Sequence, residues 1–153
     1  MATLAIVQCG ERKVWKQRPG AGPTPAADAY VSAYFRNNRA YAERFADRWL
    51  ILSAKYGFLE PNTQIRNYDV SFLKPKSKPI SMAKLQTQVK TKRLSRYRHV
   101  VVLGGALYVD KVQAVFHGTG CRIHRPFEGL KGNGYMQQAV TRALRRGRPL
   151  TSR

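Results

Sequence analysis

Ser53, Lys55, Tyr56 and Phe58 leave the apolar run Trp49-Leu50-Ile51-Leu52 in one short stretch. A hydroxyl, an amine and two aromatic rings emerging together suit a ligand site. Tyr56 and Phe58 can stack on a base. Lys55 can contact a phosphate or, if desolvated, act as an amine nucleophile. Tyr68 and Asp69 follow further along, and Asp69 is the only acid of that stretch besides Glu60. In so basic a chain, such a carboxylate is either a paired structural anion or a charge kept for chemistry.

Three other segments carry candidate groups. Gln8-Cys9-Gly10-Glu11-Arg12-Lys13 ends the apolar run Leu4-Ala5-Ile6-Val7. It lacks the glycine spacing and the Lys-Ser/Thr pair of a phosphate loop. It reads equally as a polar turn or as a site, with Gln8, Cys9 and Gly10 at the substrate and Arg12 and Lys13 at phosphate. Gly104-Gly105, followed by Tyr108, is either a tight turn or a helix start whose amides hold an anion. Glu128, on the glycine-bearing loop after Arg125, is a second candidate acid. Cys9, Cys121, His99, His117 and His124 lack the paired spacing of a metal site. The scarcity of acids argues against magnesium-assisted phosphoryl transfer. No metal and no organic cofactor is expected.

Strands and helices alternate along the chain. Strands are predicted over 4–7, 49–53, 99–103 and 121–124. Helices are predicted over 27–46, with Asp28 at its cap, then 82–94 behind Ser81, 106–116 and 135–146. Residues 56–73 are predicted to form a long ordered loop. Such alternation argues a three-layer α/β/α domain with a mostly parallel four-stranded sheet. Sites in such sheets lie at the carboxyl ends of the strands, where all four segments above fall. Residues 1–146 are expected to form one domain and 147–153 a basic C-terminal tail.

Twenty-eight Lys and Arg face eight Asp and Glu, a net charge of +20. A body so charged repels itself, and a polyanion is its natural partner. Between Asp69 and Asp110 no acid occurs. The cations of that interval, Lys84, Lys90, Lys92, Arg93, Arg96 and Arg98, read as a solvated helix face or as a phosphate-tracking surface; the missing carboxylates favour the second. They are expected beside the pocket, at the rim of the sheet. DNA is favoured over RNA as the partner. No membrane partner is expected, since no segment is long and apolar enough to span a bilayer. Two cysteines read as reduced thiols fit the cytoplasm, and the protein is expected to be a monomer.

The first-strand Cys9, then Ile51-Leu52-Ser53-Ala54-Lys55-Tyr56-Gly57, Tyr68-Asp69, Gly104-Gly105 with Tyr108, and Pro126 with Gly129 resemble a small bacterial and phage domain family of unknown function. The resemblance covers nearly the whole chain. The second motif is also similar to a segment of the YaaA peroxide-stress family. Both groups look like relatives of the uracil-DNA glycosylase-like fold, which also occurs in a domain of archaeosine synthase. The resemblance implies a domain that handles a nucleobase within DNA or RNA. The water-activating motif and the late His-Pro-Ser motif of true uracil-DNA glycosylases are missing here, so excision of uracil itself is not carried over. The expectation is a DNA glycosylase-like protein that excises a modified or damaged base, with Asp69 and Lys55 as catalytic residues. A non-catalytic DNA- or RNA-binding module of the same fold is the alternative.

Overall fold

The computed structural model describes residues 2–150. In chain order the elements begin with β1 (Thr3–Gln8), α1 (Val14–Gln17), β2 (Thr24–Pro25), α2 (Ala26–Ala29) and α3 (Ala33–Phe45). Then come β3 (Arg48–Ser53), β4 (Gly57–Leu59), β5 (Gln64–Ile65) and α4 (Met82–Thr91). Last are β6 (His99–Leu103), α5 (Ala106–Val115), β7 (Arg122–His124) and α6 (Asn133–Arg146).

Alternate residues of the apolar strands enter different cores. Ala5, Val7 and Ile51 pack with α3 and α6, while Leu4, Ile6, Leu50 and Leu52 pack with α4 and α5. Burial on both faces explains why these strands carry almost no polar side chain. The result is a mixed α/β fold around one mostly parallel sheet, ordered β4-β3-β1-β6-β7. β1, β3, β6 and β7 run parallel, with Leu4 opposite Arg48, Thr3 opposite His99 and His99 opposite Arg122. The first residues of all four therefore share one edge, and their last residues share the other.

The sheet has five strands where the sequence predicts four. Ala54, Lys55 and Tyr56 make a tight turn, and β4 returns antiparallel with Ser53 opposite Gly57. Gly57 has φ +75, a backbone state that glycine enters without strain. The side-chain amide of Gln88 locks this turn by accepting from Phe58 N at 2.8 Å and donating to Tyr56 O at 2.9 Å.

The long helix predicted over 27–46 is broken. α2 is a single turn, Tyr30 is extended (φ -101, ψ 124), and Ser32 rather than Asp28 caps α3 by accepting from Phe35 N at 3.1 Å. Tertiary pairing overrides the helical spacing here: Tyr30 bridges Lys13, and Val31 N donates to Arg12 O at 3.1 Å. By contrast, Ser81 caps α4 as its position in the sequence suggests, accepting from Lys84 N.

Beyond α6, Gly147 takes a left-handed turn, and the Leu150 amide donates to the Tyr41 hydroxyl at 2.8 Å. Positions 151–153 of the basic tail lie outside the described residues. Pro149 and Leu150 close a cavity of about 260 Å3 over His99 and His124, whose ring nitrogens lie 2.9 Å apart. Cys121 is partly buried and packs against the core on the other face of the sheet. Among the described residues, no helix is long and apolar enough to cross a membrane.

Candidate functional site

Counting only the parallel strands, the order is second, first, third, fourth. The chain thus leaves β1 towards β3 on one side and returns to β6 on the other. A crevice must open at the carboxyl ends of β1 and β6, where consecutive connections diverge. A cleft of about 670 Å3 lies there. Its walls are the β1 loop from Gln8 to Lys13, Ser32 and Tyr34 by the start of α3, the 68–74 segment, the first turn of α5, and Asn133.

Gln8 ties the crevice floor together. Its side-chain oxygen accepts from Gly105 N at 2.9 Å. A Cβ on Gly104 would stand 3.0 Å from the Gln8 Cβ and 3.2 Å from the Tyr108 Cβ, so glycine permits the close approach. The Gly105 amide, which the sequence offers to an anion, is thus already occupied. Cys9 Sγ lies 3.4 Å from the Tyr108 hydroxyl, and Tyr108 meets Phe72 edge-on at 5.7 Å. Phe72 is half-buried on the cleft wall, with Lys111 Nζ 4.5 Å from its ring centre. The exposed Leu73 and Lys74 stand beside it.

Behind the wall, Ser53 is wholly buried and donates to the Tyr68 hydroxyl at 3.0 Å. Ser53 Oγ also accepts from the amides of Lys55 and Tyr56. The Tyr68 and Tyr30 hydroxyls are 2.6 Å apart. Burial, with Cys9 nearby, pushes the Tyr30, Tyr68 and Tyr108 phenols well above their usual range. They remain neutral hydrogen-bonding groups at neutral pH.

Lys13 lies over the Tyr68 ring, 4.4 Å from its centre. Burial pushes its ammonium below the usual lysine range, and the neighbouring Cys9, Asp69 and Glu11 offset part of that. Asp69 is exposed and has no ion pair within 4.0 Å among the described residues, with Lys13 as its charged neighbour. Lys13 and Asp69 also line an adjoining hollow of about 350 Å3 with Glu11, Trp15 and Asn67, so they stand on the ridge between two concavities. Arg12, Lys13 and Lys74 oppose Glu11 and Asp69 on the cleft lining.

Of the residues singled out from sequence, the cleft gathers Gln8, Cys9, Gly10, Arg12, Lys13, Tyr68, Asp69 and Tyr108. Gly104 and Gly105 support its floor and Ser53 supports its wall. Phe58 is elsewhere: 1% exposed, it packs on Phe116 in the α4–α5 core and has no face for a base. The Tyr56 ring abuts Tyr68 edge-on, and its hydroxyl donates to Arg66 O at 3.4 Å. Lys55 is exposed rather than desolvated, 5.2 Å from the Tyr56 ring centre and off the cleft lining. Glu128 pairs with Arg125 at 3.4 Å and is likewise off that lining.

The basic stretch does not lie at the cleft rim, where it is expected from sequence. Lys84 is exposed in the first turn of α4. The rest lie by the opposite edge of the sheet: Arg48, first in β3, donates to Lys92 O at 3.3 Å, Ser95 O accepts from Cys121 at 3.4 Å, and Arg98 directly precedes β6. A helix joining parallel strands must run back along the sheet, so its end reaches the strands' amino edge.

Tyr30, Ser32, Tyr34, Phe72 and Lys74 were not singled out from sequence. For Tyr30 and Tyr34 the sequence holds a signal, since both fall at near-helical spacing within the helix predicted over 27–46. For Phe72 and Lys74 it holds none, because the 66–80 segment has almost no periodicity.

The family described as "Family of unknown function (DUF6884)" matches residues 4–140, which include every residue of the cleft. An uncharacterised Bacillus subtilis (strain 168) protein, YfjM, is 40% identical over 145 residues, covering 94% of this chain and 96% of its own. No solved structure matches the chain.

Proposed function

Because the chain belongs to the DUF6884 family, whose function is unknown, we propose a function from the cleft itself: the protein binds DNA and hydrolyses the N-glycosidic bond of a modified or damaged base. One observation carries this reading. A carboxylate without an ion pair among the described residues, Asp69, shares a cleft of nucleotide size with cations and a half-buried aromatic ring, Phe72. A base inside a duplex is out of reach, so the nucleotide is extruded into the cleft. Its base lies on Phe72 rather than on Tyr56 or Phe58, and Arg12, Lys13 and Lys74 hold the flanking phosphates.

Asp69 stabilises positive charge on the sugar and orients a water, as carboxylates do in glycoside cleavage. The water oxygen bonds to C1′ while the C1′–N bond breaks. The bonding pair leaves on the base nitrogen, which takes up a proton, and the water gives its own to Asp69 or solvent. No group beyond water is required. Kinship with the uracil-DNA glycosylase-like fold, and through the second strand end with YaaA, belongs to this proposal. So does action as a cytoplasmic monomer. The doubly covered sheet and the cleft at its crossover support that kinship.

DNA carrying different modified bases, followed by detection of abasic sites, tests the reading. Asp69→Asn is expected to lower base release by about a hundredfold or more while leaving DNA binding intact. Release at the parental rate by that variant would falsify the catalytic assignment. The alternative, a binding module without chemistry, draws on the outward-turned Lys55 and predicts binding without release on every substrate.

A further inference from the structure

Six cations without an ion pair among the described residues stand at the amino edge of the sheet, away from the cleft. Lys90, Lys92, Arg93 and Arg96 close the α4 layer there, just before β6. On the other face, α6 starts beside the cleft at Asn133 and ends at Arg145 and Arg146. The chain after it docks on Tyr41 and lines a cavity with Thr3 and His99, first residues of β1 and β6. The helices of both outer layers thus end at the same edge, and both end in cations.

None of these six side chains has a carboxylate within ion-pair distance among the described residues. The acids nearby are engaged: Asp47 accepts from Thr3 N at 2.7 Å, Glu60 is held by Arg48, and Glu43 pairs with Arg39 at 3.3 Å. The cleft, in contrast, sets two carboxylates against three cations on its lining.

We infer that the amino edge is a second nucleic-acid surface, which grips the phosphate backbone without reading sequence and binds independently of the cleft. Arg93, Arg96, Arg145 and Arg146 supply guanidinium groups, which suit phosphate because they chelate it in a planar fork. Cations carried by both outer layers at one edge match a row of phosphates better than a compact anion. An anionic bilayer fits less well. Among the described residues the exposed large apolar side chains are Leu73 and Tyr135, on the cleft wall and in the first turn of α6, so this edge has no anchor to insert. Six-residue strands separate the two edges by about 20 Å, at roughly 3.3 Å per residue. A chain held at the amino edge reaches the cleft only by passing around the molecule. The inference rests on the nucleic-acid partner proposed above, not on the base-releasing chemistry.

Fluorescence anisotropy with a short labelled DNA duplex, over a range of salt, tests it. Two variants of the full chain are compared with the parent: Lys90→Gln/Arg93→Gln/Arg96→Gln on one layer and Arg145→Gln/Arg146→Gln on the other. They lie on opposite faces, so misfolding of one, seen by circular dichroism, leaves the other informative. Each is expected to bind about tenfold or more weakly, and the slope of log affinity against log salt should fall by about 0.9 for each phosphate no longer neutralised. Arg12→Gln/Lys13→Gln in the cleft is expected to change that slope less. Parental affinity and slope in a well-folded amino-edge variant would overturn the inference. So would displacement of the duplex by polyglutamate at equal charge, or tighter binding to phosphatidylserine vesicles than to DNA. Failure of base release with these binding effects intact would count against the cleft chemistry alone.

Discussion

Tyr68 shows how one side chain joins the core to the cleft. Its ring carries Lys13, its hydroxyl meets both Ser53 and Tyr30, and the remainder faces the concavity. The raised phenols of Tyr30, Tyr68 and Tyr108 have a measurable consequence. Unfolding returns them to an ordinary value of 10.0, so above that pH the unfolded chain releases protons that the folded chain keeps. Their contribution to stability is present below pH 10 and is lost as pH rises beyond it. Lys13 and the lowered Tyr97 phenol have the opposite sign, but they oppose five raised phenols, since burial also raises Tyr34 and Tyr41. Urea midpoints are therefore expected to fall steeply above pH 10, and less steeply in Tyr68→Phe. A flat midpoint across that range would contradict the buried network.

The β3–β4 turn is the element whose form depends most on a single position. A Cβ at Gly57 would overlap the Gln88 side chain and stand 2.8 Å from Ile80 Cδ1, on backbone with φ +75. Gly57→Ala is expected to cost about 2 kcal/mol or more, combining left-handed strain with displacement of the amide that locks the turn. Chemical denaturation measures this, and a change below about 0.5 kcal/mol, the ordinary surface value, would show that the turn relaxes freely. This element also marks how far the sequence could be read. Of the four parallel strands, the inner three, β1, β3 and β6, were legible because double burial leaves apolar runs, whereas β7, Arg122-Ile123-His124 at the edge, carries only one apolar residue. β4 was not legible, since Gly57-Phe58-Leu59 is too short to show alternation and is set by a glutamine about thirty residues away. The break at Tyr30 was hidden for a similar reason: Tyr30, Tyr34 and Tyr41 keep helical spacing, and only the pairing of Tyr30 with Lys13 interrupts it. Half the candidate site was legible through the strand-end rule. Phe58 was misplaced because an aromatic beside a site in sequence alternates to the far face of the strand.

At the scale of the whole molecule, a charge of +20 must be carried by a body of 153 residues. Few ion pairs relieve it, and those among the described residues involve Arg39, Arg48 and Arg125. Screening should therefore help the folded state. Raising sodium chloride from low to physiological concentration is expected to raise the melting temperature, whereas a protein of balanced charge shows little change. A melting temperature that falls with salt would mean the cations are mutually compensated after all. The same salt weakens polyanion binding, so stability and affinity should move in opposite directions. The charge was legible as a total but not as a place, because the direction of α4 along the sheet decides at which edge Lys90 to Arg96 emerge.

The Gln8–Gly105 bond has a consequence for selectivity. A neutral carboxamide already sits where a helix start would otherwise welcome a free phosphate ion, and an intruder would have to evict it and leave it stranded. Small inorganic anions should thus be poor competitors for the crevice. A guest profits only by offering a flat ring to Phe72 and bringing its negative charge to the surrounding loops, which favours a nucleotide within a chain over its isolated phosphate.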